Sequence, residues 1–433
     1  MHTLDQLKSG ALIGTTSLKL SAQLTQIPDE IYQLADTLEI LDLSGNDLNE
    51  LLEGISVLKK LRILFLSNNQ FTVFPKVLGQ LPSLDMVGFK ANRIKEIPEN
   101  AIPVSLRWLI LTDNCIEKLP VSIGACKKLQ KVMLAGNRIE VLPDSMAACT
   151  SIELLRISAN NIHVLPPWLF SLPRLAWLAY AGNPCSTLAY DASTSLRNVS
   201  WDSLLMDEKL GEGASGIISK GYWKDQHKSV AVKIFKGTVT SDGYPFDEMQ
   251  ACMKAGVHNN LVHVLGNISN HPEEKSGLVM ELISTEYKNL GGPPSFVTCT
   301  RDVFSEEVHF LSDTIKIIAT GVVSALIQLH KNGIMHGDLY AHNILINDTY
   351  EPLLGDFGAA TLYTRNELWQ SPLLERIEVR AFGYLLDDLI LHTTKDEDIP
   401  HALLVLRDRC LQTDILLRPD FNEVLSILEG MVL

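Results

Sequence analysis

The chain has 433 residues, 46% of them hydrophobic and 20% charged, and a formal net charge of −14. That length exceeds one compact core and predicts two or three domains, while the composition excludes a disordered chain. Residues 1–190 hold 17 basic and 17 acidic side chains, leaving 20 basic and 34 acidic for the remainder; such an acidic half repels phosphate backbones and anionic lipid, which argues against nucleic-acid and membrane-surface partners.

The first ten residues carry Asp5 and no apolar core of a secretory signal. No run approaches the roughly 18 apolar residues needed to span a bilayer, so no membrane span is expected. The most apolar stretch, 317–329, is interrupted by Thr320, Gly321, Ser324 and Gln328 and reads as a buried core helix. The seven cysteines (Cys115, Cys126, Cys149, Cys185, Cys252, Cys299 and Cys410) are odd in number and scattered, without CxxC or Cys/His ligand spacing. Buried thiols in a reducing, cytoplasmic compartment are expected.

From the N-terminus the dominant signal is a repeat. Asparagines recur at Asn46, Asn69, Asn92, Asn114, Asn137, Asn160 and Asn183, in steps of 23 residues with a single step of 22. Each sits in a frame such as Leu38, Leu41, Leu43, Asn46, Leu48, or Leu129, Val132, Leu134, Asn137, Ile139. The pattern resembles the leucine-rich repeat. Its leucines point inward from a short strand, and its asparagine turns inward to hydrogen-bond the backbone of neighbouring turns. Most repeats continue with an apolar residue and proline, as in Phe74-Pro75, Leu119-Pro120 and Leu142-Pro143, similar to the 23-residue repeats of intracellular leucine-rich proteins. In a horseshoe of this kind alternate strand positions face the concave side. Phe65, Met86, Trp108, Ile110, Met133, Leu154 and Trp177 fall there, an aromatic and methionine-rich stripe expected to bind a protein partner. After Asn183-Pro184 the period is lost.

Four strings come next, in order: Gly211-Glu212-Gly213-Ala214-Ser215-Gly216, Val230-Ala231-Val232-Lys233, His336-Gly337-Asp338-Leu339-Tyr340-Ala341-His342-Asn343, and Asp356-Phe357-Gly358. Each alone is weak, but their order and spacing match the protein-kinase signature, and the resemblance covers roughly residues 200–433. It implies a site that uses ATP and Mg²⁺. Leu210 and Ile218 bound a β-turn-β in which Gly211, Gly213 and Gly216 let the backbone approach the triphosphate. Lys233 would hold the α/β-phosphates, fixed by Glu248 in preference to the adjacent Asp247. Met280 becomes the gatekeeper, Glu281 and Ile283 offer backbone groups to adenine, and Ala231 and Leu345 cover the two faces of the base. Asp338 would orient the acceptor hydroxyl and take its proton, and Asn343 with Asp356 would bind the metal. Near the end Cys410, Asp414, Arg418-Pro419 and Phe421 match an element of tyrosine-kinase-like kinases. As a whole the chain resembles soluble leucine-rich-repeat kinases of that group, some of them bacterial.

The sequence departs from the kinase pattern at three points. Gly337 stands where an arginine usually grips an activation-loop phosphate. Tyr340 stands where serine/threonine kinases have a lysine, leaving His342 as the basic group in the loop. Only about 20 residues separate Gly358 from the expected helix at 379–383, with no APE string; Glu375 is the nearest acid for Arg418, and Glu378 replaces the usual helix aspartate. The HGDLxxxN string with a short segment after it also resembles aminoglycoside-type phosphotransferases, and a pseudokinase scaffold is the other alternative. Taken together, the sequence predicts an α/β leucine-rich-repeat solenoid over 1–190, a cap and linker over 191–203, and an α+β bilobal protein-kinase-like fold over 204–433. The activity expected is serine/threonine protein phosphorylation, with the repeats recruiting or regulating.

Overall fold

A computed structural model describes residues 2–186, 197–213, 215–236, 239–240, 242–364, 370–394 and 398–431. It divides into two compact units, one of Met1–Leu175 with Asn183–Cys185 and one of Ala176–Gly182 with Ser186–Leu433.

The first unit opens on a short helix, α1 (Leu4–Lys8), whose Thr3 and Gln6 side chains cap each other's backbone N–H groups. Seven three-residue strands come after it: β1 (Ser17–Lys19), β2 (Ile40–Asp42), β3 (Ile63–Phe65), β4 (Met86–Gly88), β5 (Trp108–Ile110), β6 (Lys131–Met133) and β7 (Leu154–Arg156). They pair in parallel and without slippage, so that Ile40, Ile63, Met86, Trp108, Lys131 and Leu154 lie in one row. The middle residues Leu41, Leu64, Val87, Leu109, Val132 and Leu155 are fully buried. Parallel pairing requires a crossover of a dozen residues or more, and the 23-residue spacing supplies it. The crossover here is a single 3₁₀ turn, such as Val121–Ala125 after Pro120 or Asp144–Ala148 after Pro143. Each proline holds φ near −68° ahead of its turn.

The asparagines form a ladder. The Asn137 amide donates to the carbonyls of Leu111 and Leu134, both at 2.9 Å, and its Oδ1 accepts from Ile116 N–H at 3.0 Å. Asn69, Asn92, Asn114 and Asn160 repeat this arrangement one turn apart. Each links successive turns: its Oδ1 satisfies a buried N–H, and the ladder carbonyls such as those of Leu111 and Leu134 accept from two asparagines apiece.

The expected concave stripe is corrected in part. Phe65, Trp108, Ile110 and Met133 are partly exposed, but Met86 and Leu154 are each 2% exposed and offer a partner almost no surface. Met86 lies in register between the side chains of Ile63 and Trp108, and Leu154 beside Lys131. Trp177, also buried, belongs to the second unit.

The second unit begins with β8 (Trp177–Ala179). Of the expected linker, residues 191–196 lie outside the described residues. Residues 198–203 are not a linker: β9 (Asn198–Ser200) is a sheet strand, and Trp201–Ser203 forms a 3₁₀ turn. Strands β10 (Leu204–Glu212), β11 (Gly216–Trp223) and β12 (Lys228–Phe235) precede helix α2 (Pro245–Ala255), then β13 (Val264–Ser269) and β14 (Gly277–Glu281). The six strands pair in the order β10-β11-β12-β14-β13-β9, with β9 parallel to β13. Val199 enters the same core as Trp223, Val230, Val232 and Val279, and this apolar contact explains why the segment is ordered.

The rest is largely helical: β15 (Lys288–Asn289), α3 (Ser312–Lys331), β16 (Ile334–Met335), β17 (Ile344–Ile346), β18 (Pro352–Leu354), β19 (Thr361–Leu362), α4 (Ser371–Leu391), α5 (His401–Cys410) and α6 (Phe421–Gly430). Among the described residues α3 is the one helix long and apolar enough to cross a membrane. Its Ile315, Ile318, Val322, Val323, Leu326 and Leu329 are fully buried inside this unit, as a core helix requires. Helix α4 starts at Ser371, earlier than expected, so little chain separates it from Gly358. The cysteines are free thiols; burial pushes Cys126 and Cys185 up to about 11 and Cys410 up to about 12.

Replacing Asn137 by alanine leaves the buried Ile116 N–H without its partner and removes one of two bonds at each of the Leu111 and Leu134 carbonyls, which keep Asn114 and Asn160. The orphaned group costs about 1–3 kcal/mol and each lost bond about 0.5–1.5 kcal/mol. The expected outcome is a net loss of about 2–4 kcal/mol, seen as faster amide exchange across 111–139 and a lower calorimetric transition.

Candidate active site

A cavity of ≈ 440 Å³ opens beneath the β10–β14 sheet, a size typical of small-ligand sites. Of the residues expected around a nucleotide, Leu210, Gly213, Gly216, Ile218, Ala231, Lys233, Glu248, Met280, Glu281, Ile283, Leu345, Asn343 and Asp356 line it. Gly211, in β10, and Asp338 are not among the lining residues; Asp338 is joined to the lining through the Asn343 amide. Ser215, Cys252, His342 and Phe357 also line the cavity.

The glycine strands show two uses of glycine. Around Gly211 and Gly213 a Cβ would meet nothing within 4 Å, so their backbone is open to a ligand. At Gly216 a Cβ would stand 2.6 Å from the Ile234 carbonyl oxygen, so this glycine serves the close pairing of β11 with β12. Glu212 pairs with both Lys209 and Lys236, whose hydrogen bonds and charges hold its carboxyl at about 2.

Lys233 sits in the sixth position of β12, and its ammonium pairs with the carboxylate of Glu248, on the first turn of α2. The choice between Glu248 and Asp247 is thereby decided. Asp247, one position round the helix, has its carboxyl pushed up to about 6 by burial. Burial works against the charge on Lys233, but the carboxylates of Glu248 and Asp356 outweigh it and raise the pKa, so the ammonium is protonated.

At the strand leading out of the sheet, Met280 lies opposite Ala231. The Glu281 N–H is committed to the His263 carbonyl at 2.9 Å, so a contact from this residue to a base must come from its carbonyl. The Glu281 side chain turns away to Lys228 at 2.6 Å. Leu345, on β17, also lines the cavity.

The catalytic-loop string is suspended from α4. Glu378 accepts the backbone N–H of Gly337 at 2.7 Å and of His336 at 3.2 Å, and it pairs with His330 at 2.7 Å. This glutamate therefore does the backbone-anchoring work of the usual aspartate, its extra methylene notwithstanding. Glu378 is buried, but hydrogen bonds from His330 and the Gly337 N–H hold its carboxyl below the usual range. His336 Nε2 reaches the Gly355 carbonyl at 2.8 Å and ties the loop to the segment after β18 that carries Asp356. The Asn343 amide donates to both the carbonyl and Oδ2 of Asp338, each at 2.9 Å. The Asn343 carbonyl oxygen and the Asp356 carboxylate remain as hard oxygen donors at the cavity, the donor chemistry Mg²⁺ takes; Asp356 holds a left-handed φ of 51°. The residues fit the metal.

Two partners were not legible in the sequence. Asp302, far from every motif, accepts from His342 Nδ1 at 2.7 Å and from its backbone N–H at 3.2 Å. Burial lowers the His342 pKa, but the hydrogen bond and charge of Asp302, with Asp338 and Asp356 behind, raise it overall. The second is Trp177, whose register had suggested an exposed face. Glu375, expected to serve Arg418, accepts the Phe421 N–H at 3.0 Å, while Arg418 donates to the carbonyls of Gln412 and Arg376.

Residues 205–381 match the family described as protein kinase domain. Within these bounds the chain is similar to a protein kinase domain. Residues 37–58 and 60–81 match the leucine-rich repeat. Over 271 residues the chain is 25% identical to a probable serine/threonine-protein kinase of Dictyostelium discoideum, covering 53% of this chain and 28% of the relative. It is 32% identical over 269 residues to the tyrosine-protein kinase transforming protein Abl of Abelson murine leukemia virus (53% of this chain, 34% of the relative). With L-type lectin-domain containing receptor kinase IX.1 of Arabidopsis thaliana it shares 25% identity over 198 residues (45% and 28%). The chain thus spans only 12% to 34% of the length of such relatives.

Because the folded-state pKa of His342 is raised above its usual 6.5, the Asp302–His342 pair adds stability that is fully present below pH 6.5 and is lost as pH rises through the folded value. Denaturation midpoints of wild type and Asp302→Asn should therefore differ most at pH 6 and converge toward pH 9. A gap that widens with pH would contradict this assignment.

Proposed function

We propose that the kinase domain transfers the γ-phosphate of ATP to serine or threonine hydroxyls of a protein, and that the leucine-rich repeats bind a protein partner. The observation that carries this reading is the buried Lys233–Glu248 ion pair on the wall of a cavity that Asn343 and Asp356 also line. In this arrangement the Lys233 ammonium holds the α/β-phosphates, Ala231 and Leu345 enclose the base, and the Glu281 carbonyl and Ile283 backbone orient it. Asp338, fixed by the Asn343 amide, accepts the proton of the acceptor hydroxyl at its carboxylate. Mg²⁺ held by Asn343 and Asp356 would supply charge neutralisation at the phosphates. His342, whose pKa the Asp302 carboxylate raises, lines the same cavity and supplies a basic group where this loop lacks lysine and arginine.

Preference for serine and threonine is supported by the Dictyostelium relative, and the Arg418-Pro419 element supports placement in the tyrosine-kinase-like group. The partner surface is Phe65, Trp108, Ile110 and Met133, the exposed part of the stripe. A cytoplasmic setting is proposed on the scattered cysteines. One observation favours a second reading, transfer to a small molecule: only twelve residues lie between Gly358 and the start of α4 at Ser371, a short platform for an extended peptide.

Incubation with labelled ATP and Mg²⁺, with a mixed protein acceptor, tests the reading. Positioned general-base groups contribute about 10²–10⁴-fold, so Asp338→Ala should lower label transfer by at least about 10²-fold, and acid hydrolysis should return phosphoserine or phosphothreonine. Equal incorporation by both proteins, or none by either, would leave a pseudokinase scaffold. Label on aminoglycosides and on no protein would favour the small-molecule reading.

A further inference from the structure

Two departures from the kinase signature, Gly337 and Tyr340, meet the same short segment. Gly337 has a φ of 73°, and a Cβ there would stand 2.6 Å from the Leu178 carbonyl oxygen and 2.7 Å from that of Ala359. No arginine fits this backbone approach. The Tyr340 ring stacks with Trp177, centroids 4.4 Å apart and planes 6° from parallel. Trp177 also stacks with Tyr384 of α4, at 5.2 Å and 13°. Its indole N–H donates to the Leu339 carbonyl at 2.9 Å. A few residues on, the Tyr180 N–H donates to Thr361 Oγ1 at 3.2 Å, just past the Asp356-Phe357-Gly358 string. All these groups belong to the second compact unit.

We propose that Trp177 is a positioning residue for phosphotransfer, holding the catalytic loop in its working shape from the side opposite its anchor on Glu378. Asp338 lies between two clamps. On its N-terminal side Glu378 takes the N–H groups of His336 and Gly337; on its C-terminal side Trp177 takes the Leu339 carbonyl and covers the Tyr340 ring. These clamps hold the backbone one peptide out on each side, while the Asp338 N–H donates to His336 Nδ1 at 3.3 Å and its carbonyl accepts from the Asn343 amide at 2.9 Å. Together they restrict the direction in which the Asp338 carboxylate leaves the backbone. In kinases switched by phosphorylation an arginine at position 337 does comparable ordering by gripping the added phosphate. Here a stacked indole replaces that charge pair, so the ordering is built in and needs no modification. The same contact accounts for both departures: an arginine at 337 would collide with Leu178, and a lysine at 340 would bury an ammonium in place of a ring. A Tyr340 that is 4% exposed beneath a Trp177 that is 2% exposed is a packed element of the domain.

The rate consequence rests on the kinase reading above; the ordering of the loop does not. The test compares full-length wild type, Trp177→Phe and Trp177→Ala by phosphate release from Mg·ATP and by hydrogen exchange across 336–343. Small misplacements of a reacting group cost up to about 10²-fold. Trp177→Ala should therefore lose about 10²-fold in kcat with KM for ATP changed less than about twofold. Trp177→Phe keeps the stack without the N–H, folds more readily, and should lose about tenfold. Exchange at 339–343 should quicken in both variants, more in the alanine. Unchanged exchange in both would overturn the proposal, and so would a raised kcat, which would make the segment a block. If wild type and Asp338→Ala release phosphate at one rate, the kinase reading falls, and the exchange measurement alone decides the positioning role.

Discussion

The Lys233–Glu248 pair is the interaction on which the cavity depends. It is the direct charged link between strand β12 and helix α2, and both partners are almost wholly removed from water. Taking two charges out of water costs several kcal/mol each, and the mutual attraction offsets this only when the geometry is good. A buried pair is therefore weak evidence of stability and better evidence of a task. Here the task is to fix an ammonium at the wall of a cavity, within the field of Asp356, where a polyphosphate would add the remaining negative charge.

The loop carrying Asp338 is held by a different set of forces. Its backbone N–H groups go to one carboxylate, Glu378, its carbonyl at Leu339 to an indole, and its histidine to the Gly355 carbonyl. Each bond alone is worth about a kcal/mol, but they act on neighbouring residues and restrict the same few dihedrals. A second histidine, His342, is turned toward the cavity by Asp302. The loop is thus positioned without the arginine and lysine that its family resemblance would suggest, by groups drawn from α4, from β8 and from the chain between β15 and α3.

Much of this was legible in the residues. The asparagine period announced the parallel strands and their hydrogen-bond ladder, because a buried amide every 23 residues has few other uses. The four kinase strings located the cavity walls, because glycine, lysine and aspartate at those spacings answer to local backbone geometry. Glu248 over Asp247 followed from helical position, and the side of α2 that meets Lys233 agrees. What was not legible was contact across long separations. Asp302 lies 40 residues from His342 and Trp177 lies 162 from Leu339, with no motif joining either pair. Trp177 fell on a repeat register whose side chains are partly exposed at Ile40, Trp108 and Lys131 but buried at Met86 and Leu154, so register alone could not say that it is buried. Residues 198–203 looked like a polar connector, and Val199, with Trp201 packed against the same cluster, carries them into the core.

By itself, then, the sequence determined which chemistry is present: a repeat that must pair its asparagines, and a lysine, a glutamate, two aspartates and an asparagine at kinase spacing. Those features are local, set by periodicity, backbone freedom and charge within a few residues. The tertiary structure alone decided what surrounds them. Whether Gly337 and Tyr340 are defects or fits depends on a carbonyl and an indole some 160 residues earlier in the chain, and close packing between distant segments leaves no period in the sequence to read.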